Sequence, residues 1–263
     1  MSKVKLIHAD CVTAMRRIPS GSIDLTVTSP PYDQLRNYKE SLVWDASVWE
    51  AALTKLYRIT KAGGVVVWVV GDATIKGSET GTSFTQALFA KRLGFHLHDT
   101  MIYQKNSMPK NHNRYEQSFE YMFVLTKGKP KTFNAIRVLC KYPETTREGA
   151  YGNHKEKGKA TRSGKKRLPV GVDKIKGNIW HYAVGKNHST NDDIAFTHPA
   201  IFPEQLARDH ILSWSNVGDT VLDPFMGSGT TGKVAYEEGR HFIGIDSVKE
   251  YVDLSRERIK LAQ

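Results

Sequence analysis

The sequence predicts an α/β fold built on a doubly wound, mostly parallel, seven-stranded sheet with a basic insert. Three observations lead there. Short apolar runs, several rich in valine, alternate with stretches of helical periodicity. The 263 residues suffice for one large α/β domain with an elaborated insert, and two compact domains are less expected. A single segment, from about Lys127 to Val184, breaks the alternation.

In chain order the expected elements begin with a strand Val4–His8, a helix Cys11–Arg17 and a strand Asp24–Thr28. A helix Ser47–Thr60, a strand Gly64–Val70 and a helix Ser83–Leu93 follow. Two strands, Leu97–Gln104 and Phe119–Thr126, have no helical pattern between them and read as an antiparallel edge of the sheet. Beyond the irregular segment come a helix Pro203–Trp214, a strand Thr220–Asp223, a helix Thr230–Glu238, a strand His241–Asp246 and a helix Val248–Ala262. In the last helix Val248, Tyr251, Val252, Leu254 and Ile259 are apolar among charges, the pattern of a half-buried helix.

Composition narrows the function classes. The longest apolar run, Val65 to Val70, is too short to cross a bilayer, and MSKVKLIHAD lacks the apolar core of a signal peptide, so a cytoplasmic protein with no membrane partner is expected. Cys11 and Cys140 stand far apart, which suggests neither a disulfide framework nor a metal cluster, and the histidines show no metal-ligand spacing. The net charge of +11 is concentrated: 16 Lys/Arg against 4 Asp/Glu fall between Lys127 and Lys186, leaving 22 basic and 23 acidic residues elsewhere. Such a density suits phosphate neutralisation, although a solvated loop is an equally good reading of a charge run alone. Lys155, Lys157, Lys159, Arg162, Lys165, Lys166 and Arg167 are the candidate DNA contacts.

Two motifs carry chemistry. Ser29-Pro30-Pro31-Tyr32 follows a strand end, where open α/β sheets bind ligands. Two prolines stiffen the exit and leave the Pro30 carbonyl and Ser29 hydroxyl as acceptors beside an aromatic ring, a set suited to a planar base with an amino group. The plainer alternative is a Pro-Pro strand terminator. The second motif, Asp223-Pro224-Phe225-Met226-Gly227-Ser228-Gly229-Thr230-Thr231-Gly232-Lys233, joins a strand to a helix. Its glycines match a dinucleotide fingerprint with Asp246 as the ribose acid, and Gly227 to Lys233 match most of a P-loop except that Val234 replaces the magnesium-binding hydroxyl. Asp223 opposes phosphate and suits a cationic ligand, so S-adenosylmethionine is favoured, with nicotinamide and nucleotide readings as alternatives.

With these residues in view, the sequence resembles the amino-group (N4-cytosine/N6-adenine) DNA methyltransferases. Val27 to Tyr32 resemble their catalytic motif and Asp223 to Thr231 their cofactor loop. Ala9-Asp10-Cys11 resembles the segment that contacts the cofactor adenine, and His198-Pro199-Ala200 with Phe202-Pro203 the segment preceding the cofactor strand. The resemblance implies a circularly permuted sheet of the β class. It divides the chain into a catalytic half at 1–126, a basic target-recognition insert at 127–186 and a cofactor-binding half at 187–263. Asp10, Cys11, His198, Phe202, Asp223, Pro224, Phe225, Gly227, Ser228, Gly229, Thr230 and Asp246 would bind the cofactor.

Ser29, Pro30, Pro31 and Tyr32 would act on a base flipped out of double-stranded DNA, by direct transfer without a cysteine nucleophile. Serine at the first motif position favours cytosine N4, with adenine N6 as the alternative and a non-enzymatic DNA-binding protein as a more distant one. A homodimer and a cognate restriction endonuclease are partners that such enzymes admit. Outside the motifs, Trp68 reads as core, Asp72 as a weaker candidate for the site, and Lys105 as a backbone-phosphate contact.

Overall fold

The computed structural model describes residues 2–31, 44–106, 114–143, 146–149, 155–156, 159–160, 166–185 and 188–262, with backbone alone for 146–149, 155–156, 159–160 and 166–169. The main sheet has eight strands: β1 Val4–His8, β2 Ile23–Thr28, β3 Thr60–Val70, β4 His96–Gln104, β5 Phe119–Thr126, β6 Ile179–His181, β7 Thr220–Asp223 and β8 His241–Asp246. Their order is β1-β8-β7-β2-β3-β5-β4-β6. Only β5 opposes its neighbours, pairing antiparallel with β3 and β4, while the remaining pairs are parallel. The helices are α1 Cys11–Arg16, α2 Ala46–Ile59, α3 Thr82–Leu93, α4 Glu204–Trp214, α5 Thr230–Glu237 and α6 Lys249–Leu261.

Side-chain alternation explains the two layers of helices. On β3, Val66, Trp68 and Val70 join a cluster with Met15 of α1, Leu53 and Leu56 of α2 and Ala90 of α3. Val65, Val67 and Val69 are equally buried but point the other way, as a period of two requires. Met122, the register partner of Val69, lies 3.2 Å from His210 of α4, which places α4 on that second face. Helices α4, α5 and α6 pack on one another, as α1, α2 and α3 do. A central strand covered on both faces reads as a continuous apolar run, which is why β3 is so rich in valine.

Helix α2 starts at Asp45, whose carboxylate accepts from the Ser47 and Val48 amides at 2.9 and 3.2 Å. Its buried residues Trp49, Leu53, Leu56 and Ile59 recur at helical spacing, so one stripe faces the sheet.

Three expectations need correction. The sheet has eight strands rather than seven, because Ile179–His181 pairs parallel with β4. Only Trp180 of that strand is buried, between exposed neighbours, so three residues gave no alternation to detect. The β4–β5 pair is therefore antiparallel but is not the edge. Strand β3 begins at Thr60 rather than Gly64, because Thr60 pairs with Ile23 across a register shift in β2.

Residues 135–177 form a second compact unit. Its short strands pair antiparallel: Arg137–Leu139 with Asp173–Ile175, Thr146–Gly149 with Lys166–Pro169, and Lys155–Glu156 with Lys159–Ala160. Leu139, Tyr142, Val172 and Ile175 are exposed there. Among the described residues no helix is long and apolar enough to cross a membrane.

Candidate active site

Four parallel strands bring their carboxyl ends side by side in the order β1, β8, β7, β2. The segments leaving them, Asp10-Cys11, Asp246-Ser247, Pro224 to Ser228 and Ser29 to Pro31, line one cavity of about 640 Å³. That volume is ordinary for a cofactor cleft. The facing wall comes from the stretch before α4, where Phe196, His198 and Phe202 line the same space. Two motifs far apart in the chain thus share one site.

The glycine turn is held from behind. The Gly227 amide donates to Asp246 Oδ2 at 2.9 Å, and the Val248 amide donates to Oδ1 at 2.9 Å. Burial raises the Asp246 pKa above the usual carboxylate range. Gly227 has φ +49°, and a Cβ there would stand 2.8 Å from His198 Nε2. The His198 ring in turn meets Tyr251 edge-on, with centroids 4.3 Å apart. Gly229, at φ +80°, caps α5, and Gly232 lies where a Cβ would come within 2.4 Å of Phe242.

Arg258 of α6 is fully buried and pins this loop. Its guanidinium donates to the Ser228 carbonyl at 2.8 Å, to Thr230 Oγ1 at 3.1 Å and to Glu204 Oε1 at 2.7 Å. Lys233 completes a balanced cluster, reaching Asp192 at 2.8 Å and Glu204 at 3.0 Å. Burial pushes the Asp192 pKa up, but Lys233 and Arg258 more than reverse it. Lys233 is thereby committed to structure and does not line the cavity, which removes the P-loop alternative: that chemistry needs the lysine on the phosphates.

Asp10, Cys11, Ser29, Pro30, Pro31, His198, Phe202, Pro224, Phe225, Gly227, Ser228, Thr230 and Asp246, all candidates from the sequence, line the one cavity. Asp10 also caps α1, accepting from the Thr13 amide at 2.8 Å. Cys11 is buried among apolar neighbours, and that burial, with Asp10 nearby, drives its thiol up to about 12, so it is no nucleophile. Asp223 and Gly229 stand behind the cavity wall. Asp223 Oδ1 accepts from Thr28 Oγ1 at 2.7 Å and from the Phe225 amide at 3.1 Å, and complete burial raises its pKa to about 6.

Tyr32, Lys157, Arg162 and Lys165 lie outside the described residues, as do the side chains of Lys155, Lys159, Lys166 and Arg167. Trp68 is core, its indole donating to Gln86 at 2.7 Å. Asp72 turns away to cap α3, accepting from the Ser83 amide at 2.8 Å and its hydroxyl at 2.5 Å.

Sequence reasoning missed Trp44, Tyr103 and Glu120 on the cavity wall, and it read Lys105 as a phosphate contact. Trp44 meets Phe225 edge-on at 5.3 Å, bracing the Pro224–Ser228 turn. It also missed Arg258, although a signal existed: Arg258 falls seven residues after Tyr251 on the apolar face of α6, where an unpaired charge is not tolerated.

A family profile for N6/N4 methyltransferases, described as DNA methylase, matches residues 23–257. The orphan methyltransferase M.BamHII of Bacillus amyloliquefaciens is 53% identical over 241 residues, covering 91% of this chain and 89% of the relative. The DNA adenine methyltransferase YhdJ of Escherichia coli (strain K12) is 28% identical over 262 residues, covering 98% and 83%. Among solved structures, the cytosine-N4-specific PvuII DNA methyltransferase superposes with a TM-score of 0.69 at 20% identity, over 98% of this chain and 86% of that one. Two motifs meeting in one cleft, a neutralised Lys233 and a profile spanning most of the chain lead to one conclusion: the chain belongs to the N6/N4 DNA methylase family, the S-adenosylmethionine-dependent enzymes that methylate amino groups of DNA bases.

Proposed function

We propose that this enzyme transfers the methyl group directly to cytosine N4 of a base flipped out of double-stranded DNA. The observation that carries the reading is that Ser29 and Pro30 open into the same cavity as the Gly227–Thr230 loop, from a strand directly beside the one that holds it. Bound S-adenosylmethionine supplies an electrophilic methyl on a sulfonium. The residues present fit that ligand: Asp10 and Asp246 offer acceptors to hydroxyl and amino groups, the glycine turn admits close backbone approach, and Lys105, the lysine on the wall, is already paired with Glu120.

Ser29 Oγ and the Pro30 carbonyl accept the two amino hydrogens. That draws the nitrogen lone pair out of ring conjugation and orients it toward the donor side of the cavity. As the nitrogen takes the methyl, the donor's sulfonium carbon–sulfur bond would break to leave a neutral thioether, and one amino hydrogen would leave as a proton along its hydrogen bond to solvent. Positioning and electrostatics provide the rate, so no covalent enzyme intermediate is needed. Serine at the head of the motif supports cytosine, and Tyr32 stacks on the extruded ring. The permuted arrangement of the family is supported by β1 pairing residue for residue with β8 and by the catalytic strand preceding the cofactor loop in the chain. Residues 127–186 then serve as the target-recognition insert between a catalytic half at 1–126 and a cofactor half at 187–263.

Duplex DNA treated with the enzyme and labelled donor, digested to nucleosides and separated by mass spectrometry, is expected to yield N4-methylcytosine. N6-methyladenine instead would reassign the base. Ser29→Ala and Tyr32→Ala should each lower transfer by about 100-fold or more while retaining donor binding, and unchanged methylation by both would sink the mechanism.

A further inference from the structure

A second polar cluster stands on the same cavity wall, outside both motifs. Strands β4 and β5 place Tyr103 directly opposite Glu120, and Lys105 lies two residues beyond Tyr103 on the same side of the strand. Lys105 Nζ donates to Glu120 Oε1 at 2.6 Å, with side-chain exposures of 24% and 16%. The Tyr103 ring is buried at 2% exposure, and its hydroxyl has no hydrogen-bond partner among the described residues. A hydroxyl so enclosed is costly unless something arrives to accept its proton. Burial, with Glu120 nearby, holds its pKa well above the ordinary phenol range, so it stays a donor.

The position of the cluster excludes two ordinary roles. In the sheet the cofactor segments come from β7, β8 and β1 on one side of β2, whereas Tyr103, Lys105 and Glu120 come from β4 and β5 on the other. Ser29 and Pro30, at the end of β2, therefore separate the cluster from the donor. A backbone phosphate is also a poor occupant, because the Lys105–Glu120 pair is neutral. What remains is a neutral polar ligand approaching Ser29 from the far side.

Resting on the function proposed above, we infer that Lys105, oriented by Glu120 and joined by the Tyr103 hydroxyl, reads the acceptor edge of the flipped base. Once Ser29 and Pro30 hold the amino hydrogens, the rest of a cytosine's pairing edge is acceptor: ring N3, then O2. Lys105 and Tyr103 supply two donors for those two acceptors. Adenine offers N1 and then a C–H, which would strand one buried donor, so the same pair discriminates in favour of cytosine. Lys105 is a specificity-determining residue in this scheme, and Glu120 is a positioning residue that also neutralises the Lys105 charge.

The test is a double-mutant cycle between side chain and base atom. Wild type and Lys105→Met are assayed on duplexes carrying cytosine or 3-deazacytosine at the methylated position, and adenine as the product base overturns the inference. Removing either the lysine or the ring nitrogen should lower kcat/KM by about 10–100-fold, and removing both should cost no more than about threefold beyond either alone. Lys105→Gln, which keeps a donor, should recover part of the loss, and Glu120→Gln should show weakened coupling to the ring nitrogen. Donor affinity by calorimetry should stay within about twofold in all variants.

Losses that multiply independently overturn the inference. So does a Lys105→Met defect in donor binding, which would assign the residue to the cofactor. A wild-type enzyme that methylates no DNA base overturns the proposed function and this inference together, and that result is visible before any variant is made.

Discussion

Thr28 and Asp223 stand 195 residues apart and are joined by a hydroxyl-to-carboxylate hydrogen bond of 2.7 Å. Thr28 ends β2 immediately before Ser29, and Asp223 ends β7 immediately before Pro224. The bond therefore fixes the spacing between Ser29, proposed to hold the base, and the loop proposed to hold the methyl donor. Thr28→Val removes the donor without changing shape. We expect a loss of about 1–3 kcal/mol in urea denaturation, from a buried carboxylate left short of a partner. The kinetic effect should fall on kcat more than on donor affinity, and a variant with unaltered kcat would show that the spacing is set elsewhere.

Asp223 makes stability depend on pH in an unusual direction. Its folded pKa of about 6 lies above the ordinary aspartate value of 3.8, so the folded state binds the proton more tightly than the unfolded chain. Its contribution to stability is complete below about pH 4 and is lost as pH climbs through 6, a change of about 3 kcal/mol. Asp223→Asn should abolish that part of the dependence. At pH 7.5 the variant should be no less stable than wild type. Parallel stability curves at pH 4.5 and 7.5 would contradict the buried-acid assignment.

Two glycines separate function from folding. Gly227→Ala adds a methyl 2.8 Å from His198 Nε2 at a left-handed backbone, on the cavity wall. Donor affinity should drop about tenfold or more, with a modest loss of stability. Gly232→Ala drives a methyl to within 2.4 Å of Phe242, away from the cavity, and should cost about 1–3 kcal/mol in denaturation. Calorimetry at saturating donor should show near-normal affinity in whatever fraction of the second variant remains folded.

Removing Arg258 should be severe. Arg258→Met leaves Glu204 and Asp192 with one of their two cationic partners and frees the Ser228 carbonyl, for an expected loss of about 3–5 kcal/mol. Saturating S-adenosylmethionine should recover part of the melting temperature by mass action, because the loop proposed to bind it is the one released. A donor-independent melting temperature would mean the cluster serves the scaffold only.

Charge in the insert governs encounter with DNA. Serine at Lys155, Lys157, Lys159, Arg162, Lys165, Lys166 and Arg167 together should flatten the salt dependence of duplex binding, by about one unit of log–log slope for each phosphate that is no longer neutralised. Donor binding should be untouched, since the proposed donor loop, Pro224–Thr230, belongs to the main-sheet unit.

The sheet was legible because its strands are long enough to show a pattern and its two motifs sit at strand ends, where ligands must go. The eighth strand was not, since one buried Trp180 between exposed neighbours has no period. Asp223 was identified as a member of the site, yet its place behind the wall follows from the β2–β7 pairing rather than from spacing. Tyr103, Lys105 and Glu120 were hidden for a related reason. Their meaning arises only when an antiparallel register brings 103 opposite 120, and nothing local marks a strand-end charge as part of a pocket. Arg258 was the avoidable omission.

The placement of β2 between β3 and β7 has a temporal consequence. β3 lies close behind β2 in the chain, whereas β7 is made nearly two hundred residues later. During synthesis the edge of β2 that pairs with β7 waits unpaired, and Ser29 exists without the loop proposed to bring the methyl donor. Such non-local pairing makes folding slow and leaves a sticky intermediate, so refolding from denaturant should be slow and concentration-sensitive. No partly made chain holds both halves of the chemistry, and the capacity to mark DNA is acquired in one step, when that edge closes.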